Sequence, residues 1–367
     1  MANSHLFSAF QLGPIELTNR IVVAPMCQYS AVDGVATDWH IQHLMQLGYS
    51  GAGLVMVEAT GVQRHGRITH GCLGLYSDDC EVALSRVIAS ARRWAGPTKF
   101  GIQLAHAGRK ASCNVPWHKD GHPLATHEDP WPTAAPSAIP FADDWPAPVQ
   151  LHKAEIQAVT AAFVAAALRA VRIGFEVIEL HGTHGYLGHQ FLSPLSNHRT
   201  DEYGGSRENR MRFLLELSAM VRAAIPDSVA LGVRIPGTDW VDGGWTLEDA
   251  VALVRALQSK GVQYVCVSSG GLVPHAKIPL GPDYQLPLAA TIKKETGIAT
   301  RAVGMIWKPQ RAEEIIAAGD ADMIAMARAF LDDPRWGWHA ADQLGATVHS
   351  PPQYRRARSD RWSPGRR

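Results

Sequence analysis

The stretch 178–188, IELHGTHGYLG, sets His181 and His184 three residues apart and places Tyr186 two further on. An imidazole can bind a metal or exchange hydrogen bonds, and a phenol with a pKa of about 10 keeps its proton at neutral pH. Residue type alone leaves three readings. The pair supplies two of the three protein ligands of a catalytic zinc. Alternatively, it supplies two N–H donors and a proton donor around one oxygen that gathers negative charge. Or the histidines simply pack at a rim. The choice depends on what else reaches the same place. The apolar run just ahead puts that place at the end of a buried strand.

The run FEVIELHG (175–182) is one of eight. The others are RIVVAP (20–25), GLVMVEA (53–59), KFGIQLAH (99–106), VALGVRI (229–235), YVCVSSG (264–270), IATRAVG (298–304) and DMIAMAR (322–328). They are continuously apolar rather than alternating, as strands buried on both faces are. Helices are expected between them. Thr246-Leu247-Glu248-Asp249 predicts a capping box, with Ala250, Leu253, Val254 and Leu257 on one face and Gly261 as the stop. Pro309 opens a second helix with Ala312, Ile315 and Ile316 inward and Gly319 at its end, and Asp333-Pro334 opens a third. Leu214, Leu217, Val221 and Ile225 space a fourth.

Eight strand-then-helix units predict one α/β domain over 1–367, a closed (β/α)8 TIM barrel, with an open doubly wound sheet as the alternative. The segment 113–150, rich in Pro and Trp, is too long for an ordinary connection after the third strand. It is expected to wall or cover the catalytic face, a plain surface excursion being the other reading.

Composition removes several classes of function. Lys and Arg number 35 against 34 Asp and Glu, so nothing predicts a nucleic-acid partner; only the tail YRRARSDRWSPGRR is strongly basic. Five cysteines, scattered and without CxxC spacing, argue against a disulfide framework or structural zinc and fit a reducing cytoplasm. MANSHLFSAFQLG lacks a leader pattern, and no apolar run approaches the ~18 residues of a membrane span. A soluble cytoplasmic protein with no membrane partner is expected.

In such barrels the site lies at the C-terminal ends of the strands. There the sequence offers Pro25-Met26-Cys27-Gln28-Tyr29, Glu58-Ala59-Thr60, Gln103, His106 to Lys110, the His181–Tyr186 group, Arg234, Gly304 and Arg328. Two arginines converging on the mouth oppose a divalent cation, and no His-x-His follows the first strand; no metal is expected. Phosphate sites in these barrels use the loops after strands seven and eight. Here those carry Gly304, whose backbone a ligand can approach, and Arg328, a bidentate donor. With Arg234 and the amide of Gln103, the set suits a phosphorylated flat heterocycle, for which flavin mononucleotide (FMN) is the natural candidate.

Nearly end to end, the chain resembles the Old Yellow Enzyme family of FMN-dependent ene-reductases, in its thermophilic-like subclass that includes xenobiotic reductases. The resemblance runs from Leu6-Phe7 through Asn19-Arg20, Ala24-Pro25-Met26-Cys27, Gln103 to Lys110, Ala135 to Ala138 and His181 to Leu187. It continues through FLSPLSNHRTDEYGGSRENR (191–210) to Pro352-Gln353-Tyr354. It implies that Ala24, Pro25, Met26 and Cys27 line one side of the flavin and that Ala59 and Gln103 contact its ring. Arg234 would lie at the N1–C2 carbonyl end, where positive charge favours the reduced anion, and Gly304, Ala327 and Arg328 would hold the phosphate. His181 and His184 would bind the substrate's activating oxygen, Tyr186 would donate the proton, and Tyr29 would contact substrate.

The implied reaction takes hydride from NADPH or NADH and reduces activated alkenes: cyclic enones, enals, maleimides and nitro compounds. A homodimer or homotetramer is implied, with the tail from about 346 at an interface and Arg356, rather than Arg355 or Arg358, reaching the neighbouring site. A solvated basic tail is the plain alternative.

Some positions depart from the pattern or mark the subclass. Cys27 stands where larger relatives have threonine, and either tunes the flavin or fills space. Ala327 replaces a common glycine. Val303 stands where xenobiotic reductases can place a tryptophan, with Trp307 read as helix packing. A dienoyl-CoA-type reductase would need an iron–sulfur cysteine set and a second flavin domain. A metal-dependent hydrolase and a non-catalytic flavin-binding sensor are the other classes considered; the first would lack flavin, the second turnover.

Overall fold

The computed structural model describes residues 4–362. The chain starts with an antiparallel hairpin, β1 (Phe10–Leu12) and β2 (Ile15–Leu17), turned at Gly13. Leu12, Ile15 and Leu17 pack with Leu54, Val177, Ala230 and Tyr264, which stand at the starts of barrel strands. The hairpin therefore plugs the N-terminal end of the barrel and leaves the other end as the mouth. Nothing in the sequence reading anticipated it.

The elements then run β3 (Ile21–Val23), α1 (Asp38–Gly48), β4 (Leu54–Gly61), α2 (Asp78–Ala95) and β5 (Lys99–Ala105). After short β6 (Ala134–Ala135) and β7 (Val149–Gln150) come α3 (Lys153–Ile173), β8 (Val177–His181), α4 (Leu187–Leu192) and α5 (Arg207–Ala224). The chain continues through β9 (Ala230–Pro236), α6 (Leu247–Gln258), β10 (Tyr264–Ser268), α7 (Leu286–Thr296) and β11 (Ala299–Ala302). It ends with α8 (Pro309–Ala318), β12 (Met323–Met326), α9 (Arg328–Asp332) and α10 (Trp336–Leu344).

Each of the eight apolar runs holds one barrel strand. All pairings in the barrel are parallel, and the ring closes where Ile324 of β12 pairs with Ile21 of β3, which excludes the open sheet. Every barrel-strand residue except Lys99 and Ala299 is buried, because helices cover the outside and side chains fill the inside.

The capping box forms as expected: Thr246 Oγ1 accepts from the Asp249 N–H at 3.2 Å, and the Asp249 carboxylate accepts from the Thr246 N–H at 3.3 Å. Gly319 ends α8 in the left-handed conformation. The helix expected to open at Asp333-Pro334 begins instead at Trp336. Asp333 still closes α9, its N–H donating to Ala329 O, while its carboxylate accepts the Arg335 N–H at 2.9 Å. Trp307 is exposed, and its carbonyl accepts the Trp336 indole N–H at 2.8 Å.

Among the described residues α3 alone is long and apolar enough, by length and composition, to cross a membrane, a stretch the sequence reading passed over. Its Ile156, Val159, Phe163, Ala166 and Ala170 are buried against the barrel, and Arg169 and Arg172 bond Glu81 of α2.

The excursion 113–150 is tied to the mouth-side loops. Arg109 donates to Ile139 O and Pro140 O at 3.2 and 3.1 Å, Trp131 donates to His65 O at 2.8 Å, and Ser137 Oγ accepts the His198 N–H at 2.9 Å. It forms a fixed wall. In the tail, Tyr354 stacks on Tyr49 at 5.8 Å and meets Trp338 edge-on at 6.0 Å. Residues 1–3 of the expected leader-free start and 363–367 of the basic tail lie outside the described residues.

Candidate active site

The mouth is built from the strand ends inward. A register shift between Val57 and Ala59 in β4 takes Glu58 out of the ladder. The Glu58 carboxylate accepts the Gln28 N–H at 2.9 Å and lies 3.4 Å from His40 Nε2, fixing the segment that carries Ala24, Pro25, Met26 and Cys27. Beyond the shift, Ala59 pairs with Gln103, and Gln103 with Glu179.

Below Gln103 lies a polar cluster sealed inside the barrel. Gln103 Nε2 donates to Glu179 Oε1 at 2.8 Å, while Tyr264 Oη donates to Glu179 Oε2 at 2.9 Å and Arg301 Nη2 pairs with the same oxygen. Glu179 and Arg301 are fully buried. Breaking such a pair typically costs about 3–5 kcal/mol, because a lone charge is left behind. The cluster turns the Gln103 amide so that its N–H points down and its carbonyl is left for a ligand.

His181 and Arg234 are register partners on β8 and β9. The Thr183 N–H donates to His181 Nδ1 at 3.3 Å, which places the ring's proton on Nε2. His184 sits in the left-handed region at φ 59°, uncommon outside glycine. Its Nε2 is 2.8 Å from Ser268 Oγ. Ser268 donates to Gln285 Oε1 at 3.2 Å and therefore accepts from His184, so this ring too carries its proton on Nε2. Ser269 donates to the same Gln285 oxygen at 2.7 Å, and Gln285 Nε2 donates to Val303 O at 3.3 Å.

The three rings meet. His181 lies 5.1 Å from His184 and 5.0 Å from Tyr186, both edge-on. Burial, and then the Arg234 charge, hold both imidazoles well below their ordinary pKa, so they are neutral. Burial, with nearby Cys27 and Cys72, pushes the Tyr186 phenol well above 10. Burial likewise raises Cys27 and Tyr29, and Trp117 of the excursion meets the Tyr29 ring at 5.7 Å. Lys110 donates to His184 O at 3.0 Å and Gly271 O at 2.8 Å, with its ammonium 5.4 Å from the Tyr186 ring centre; burial pushes its pKa down to about 8.

These residues fit a flavin. Arg234 Nε is buried without a partner and stands beside the histidines. Gly304 adopts φ 112°, and a Cβ there would come within 2.7 Å of Gln285 Nε2, so only glycine fits at this strand end. Arg328 is exposed at the start of α9, next to Ala327. The described residues contain no group of three or more His, Cys, Asp or Glu that could hold a metal.

The profile of the NADH:flavin oxidoreductase / NADH oxidase family matches residues 5–346. The chain belongs to this family, that of the Old Yellow Enzymes. An NADPH dehydrogenase of Listeria monocytogenes serotype 4a (strain HCC23) is 43% identical over 356 residues, covering 96% of this chain and 99% of its own. Morphinone reductase superposes with a TM-score of 0.76 at 25% identity, over 96% of this chain and 93% of its own. A 2-naphthoyl-CoA reductase complex shares the fold, with a TM-score of 0.82 at 24% identity over 93% of this chain; the chain spans only 52% of that protein. This Old Yellow Enzyme family member is thus an FMN-dependent oxidoreductase driven by a nicotinamide.

The structure gathers Ala24 to Cys27, Ala59, Gln103, His181, His184, Tyr186, Arg234, Gly304, Ala327 and Arg328 around the strand ends. Arg356 is not among them. It is exposed in the turn Pro352–Ala357, beside the C-terminal end of α1, which runs antiparallel to the strands and so ends away from the mouth. Arg355 is paired with Asp360 and Arg358 with Asp342, while Arg356 has no partner among the described residues. Sequence reasoning missed Ser268, Gln285, His189 and Asp239. Glu179 and Arg301 carried a signal, being opposite charges within two apolar strand runs.

Proposed function

We propose that this protein is an ene-reductase of the thermophilic-like subclass, reducing cyclic enones, enals, maleimides and nitroalkenes with NADPH or NADH. The observation that carries the reading is the meeting of two neutral imidazoles and a protonated phenol at about 5 Å over a mouth rimmed by Arg234. FMN, when bound, would supply the two-electron, hydride-carrying chemistry that links the nicotinamide to the alkene β-carbon.

The chain does the rest. His181 Nε2–H has no hydrogen-bond partner among the described residues and donates to the substrate's carbonyl or nitro oxygen as charge builds there. His184 Nε2–H is shared with Ser268, and the substrate oxygen competes for it. The Tyr186 phenol, kept protonated by burial, delivers its proton to the α-carbon and is reprotonated from solvent. Gln103 and Arg234 would hold the ring, and Gly304, Ala327 and Arg328 the phosphate. Tyr29 contacts the substrate. Under anaerobic conditions, one NADPH should be consumed per C=C bond saturated in cyclohex-2-enone; consumption indifferent to the alkene would overturn the reading.

Cys27 tunes this site, since a thiol is a weaker hydrogen-bond donor than a hydroxyl. Cys27→Thr should shift the flavin midpoint potential and alter enone kinetics, and an unchanged potential with unchanged kinetics would refute the role.

Arg356, exposed and without a partner among the described residues, supports a homodimer or homotetramer in which this arginine enters the neighbour's site. Truncation after Pro352 should raise the alkene KM and weaken the oligomer; both unchanged would show a solvated tail instead. The free cysteines support a cytoplasmic setting, and the near-balanced charge, 35 Lys and Arg against 34 Asp and Glu, supports small molecules rather than nucleic acid as partners.

A further inference from the structure

We propose that His189 and Asp239 are positioning residues that hold the His184-Gly185-Tyr186 turn by fixing which nitrogen of His189 carries the proton. The proposal rests on the ene-reductase reading for what the turn does, and not for how it is held. Both side chains are fully buried. The Gly185 N–H donates to His189 Nδ1 at 2.9 Å, and His189 Nε2 lies 2.7 Å from Asp239 Oδ1. The other carboxylate oxygen accepts from Ser193 Oγ at 2.7 Å and from the Trp245 N–H at 2.8 Å. Burial opposes ionisation of Asp239, but His189 and these donors outweigh it and hold its pKa below the ordinary value. An ionised carboxylate only accepts. Nε2 must therefore carry the proton, and Nδ1 is left bare for Gly185.

Gly185 has little freedom to find another acceptor. It sits at φ 74°, and a Cβ there would run into Gly271 O. Gln190 Nε2 donates to its carbonyl at 2.7 Å, and Lys110 holds the His184 carbonyl at 3.0 Å. Between these anchors His184 is kept in its left-handed conformation, which needs such surroundings to persist. His189 supplies the bond beneath the peptide that joins the oxygen-binding imidazole to the proton-donating phenol.

The lock makes an asymmetric prediction. In Asp239→Asn the Trp245 N–H still demands an acceptor, so the amide oxygen turns to it and the amide N–H2 faces His189. Nε2 must then accept, and the proton moves to Nδ1, opposite the Gly185 N–H. Two donors face each other and the turn is expelled. His189→Gln keeps a donor for Asp239 and loses the acceptor for Gly185, whereas His189→Asn places its oxygen near Nδ1 and restores that acceptor.

We would measure, anaerobically in the FMN-loaded enzyme, flavin reduction by NADPH and reoxidation by cyclohex-2-enone. D239N and H189Q should slow reoxidation by about 10- to 100-fold, the scale of a small misplacement of reacting groups. H189N should recover most of what H189Q loses. In a Tyr186→Phe background D239N should cost much less, because the misplaced phenol is already gone; independent losses would indicate a merely structural role. Wild-type reoxidation in D239N and H189Q, or H189N as slow as H189Q, would overturn the proposal. Should D239N fail to fold, the two His189 variants decide. If the wild type itself does not reoxidise with alkenes, the functional reading falls, and the lock is judged by the crystal structure of D239N. An unmoved Gly185 there would refute it.

Discussion

His181→Ala is expected to lower kcat/KM for alkene reduction by about 10²–10³-fold, the usual loss when one preorganised donor to a developing oxyanion is removed. The effect should exceed that of His184→Ala. The backbone N–H of Thr183 occupies His181 Nδ1, so the Nε2–H is committed to whatever enters the mouth. The His184 N–H already has Ser268, and its bond to substrate replaces an existing one. Burial keeps both rings neutral, so the pair offers two dipoles and no full charge before reaction. The binding of a saturated ketone should weaken far less than the rate falls, because the interaction grows with the charge on oxygen. Equal losses in ketone affinity and in rate would show that His181 binds substrate and transition state alike.

Tyr186→Phe should slow alkene-driven flavin reoxidation by about 10²–10⁴-fold, the range of a lost general acid. Flavin reduction by NADPH, which needs no such proton, should change little. Phenylalanine keeps the ring that meets His181 at 5.0 Å and lies under the Lys110 ammonium, so geometry is largely preserved. The pH profile follows from the direction of the shift. A phenol whose pKa is raised by burial stays protonated through the ordinary tyrosine range, so wild-type reoxidation should show no alkaline decline from Tyr186 up to about pH 10. Stopped-flow traces of the two half-reactions across pH check both statements.

The barrel was legible because each strand is buried on both faces and therefore reads as an unbroken apolar run. The β1–β2 hairpin was not, since three-residue strands carry no periodicity. The strand-end rule brought His181, His184, Tyr186, Arg234, Gly304 and Arg328 into view from residue type and position. What holds them was hidden. Ser268 lies 84 residues from His184, and Asp239 lies 50 from His189; only the closed ring makes them neighbours. Glu179 and Arg301 were visible in principle, because a charge inside a doubly buried strand demands its opposite nearby. The late start of α10 turned on Asp333, whose carboxylate accepts the Arg335 N–H ahead of the helix.

The role proposed for these two imidazoles and one phenol is the reduction of an activated alkene. Its most direct test is to reduce the bound flavin anaerobically with NADPH or NADH and to mix it, without oxygen, with cyclohex-2-enone, an enal, N-ethylmaleimide and a nitroalkene. Reoxidation by at least one of them should be faster than by oxygen, yield the saturated product, and be lost in Tyr186→Phe. A flavin that every alkene leaves reduced while oxygen reoxidises it would rule out the ene-reductase activity.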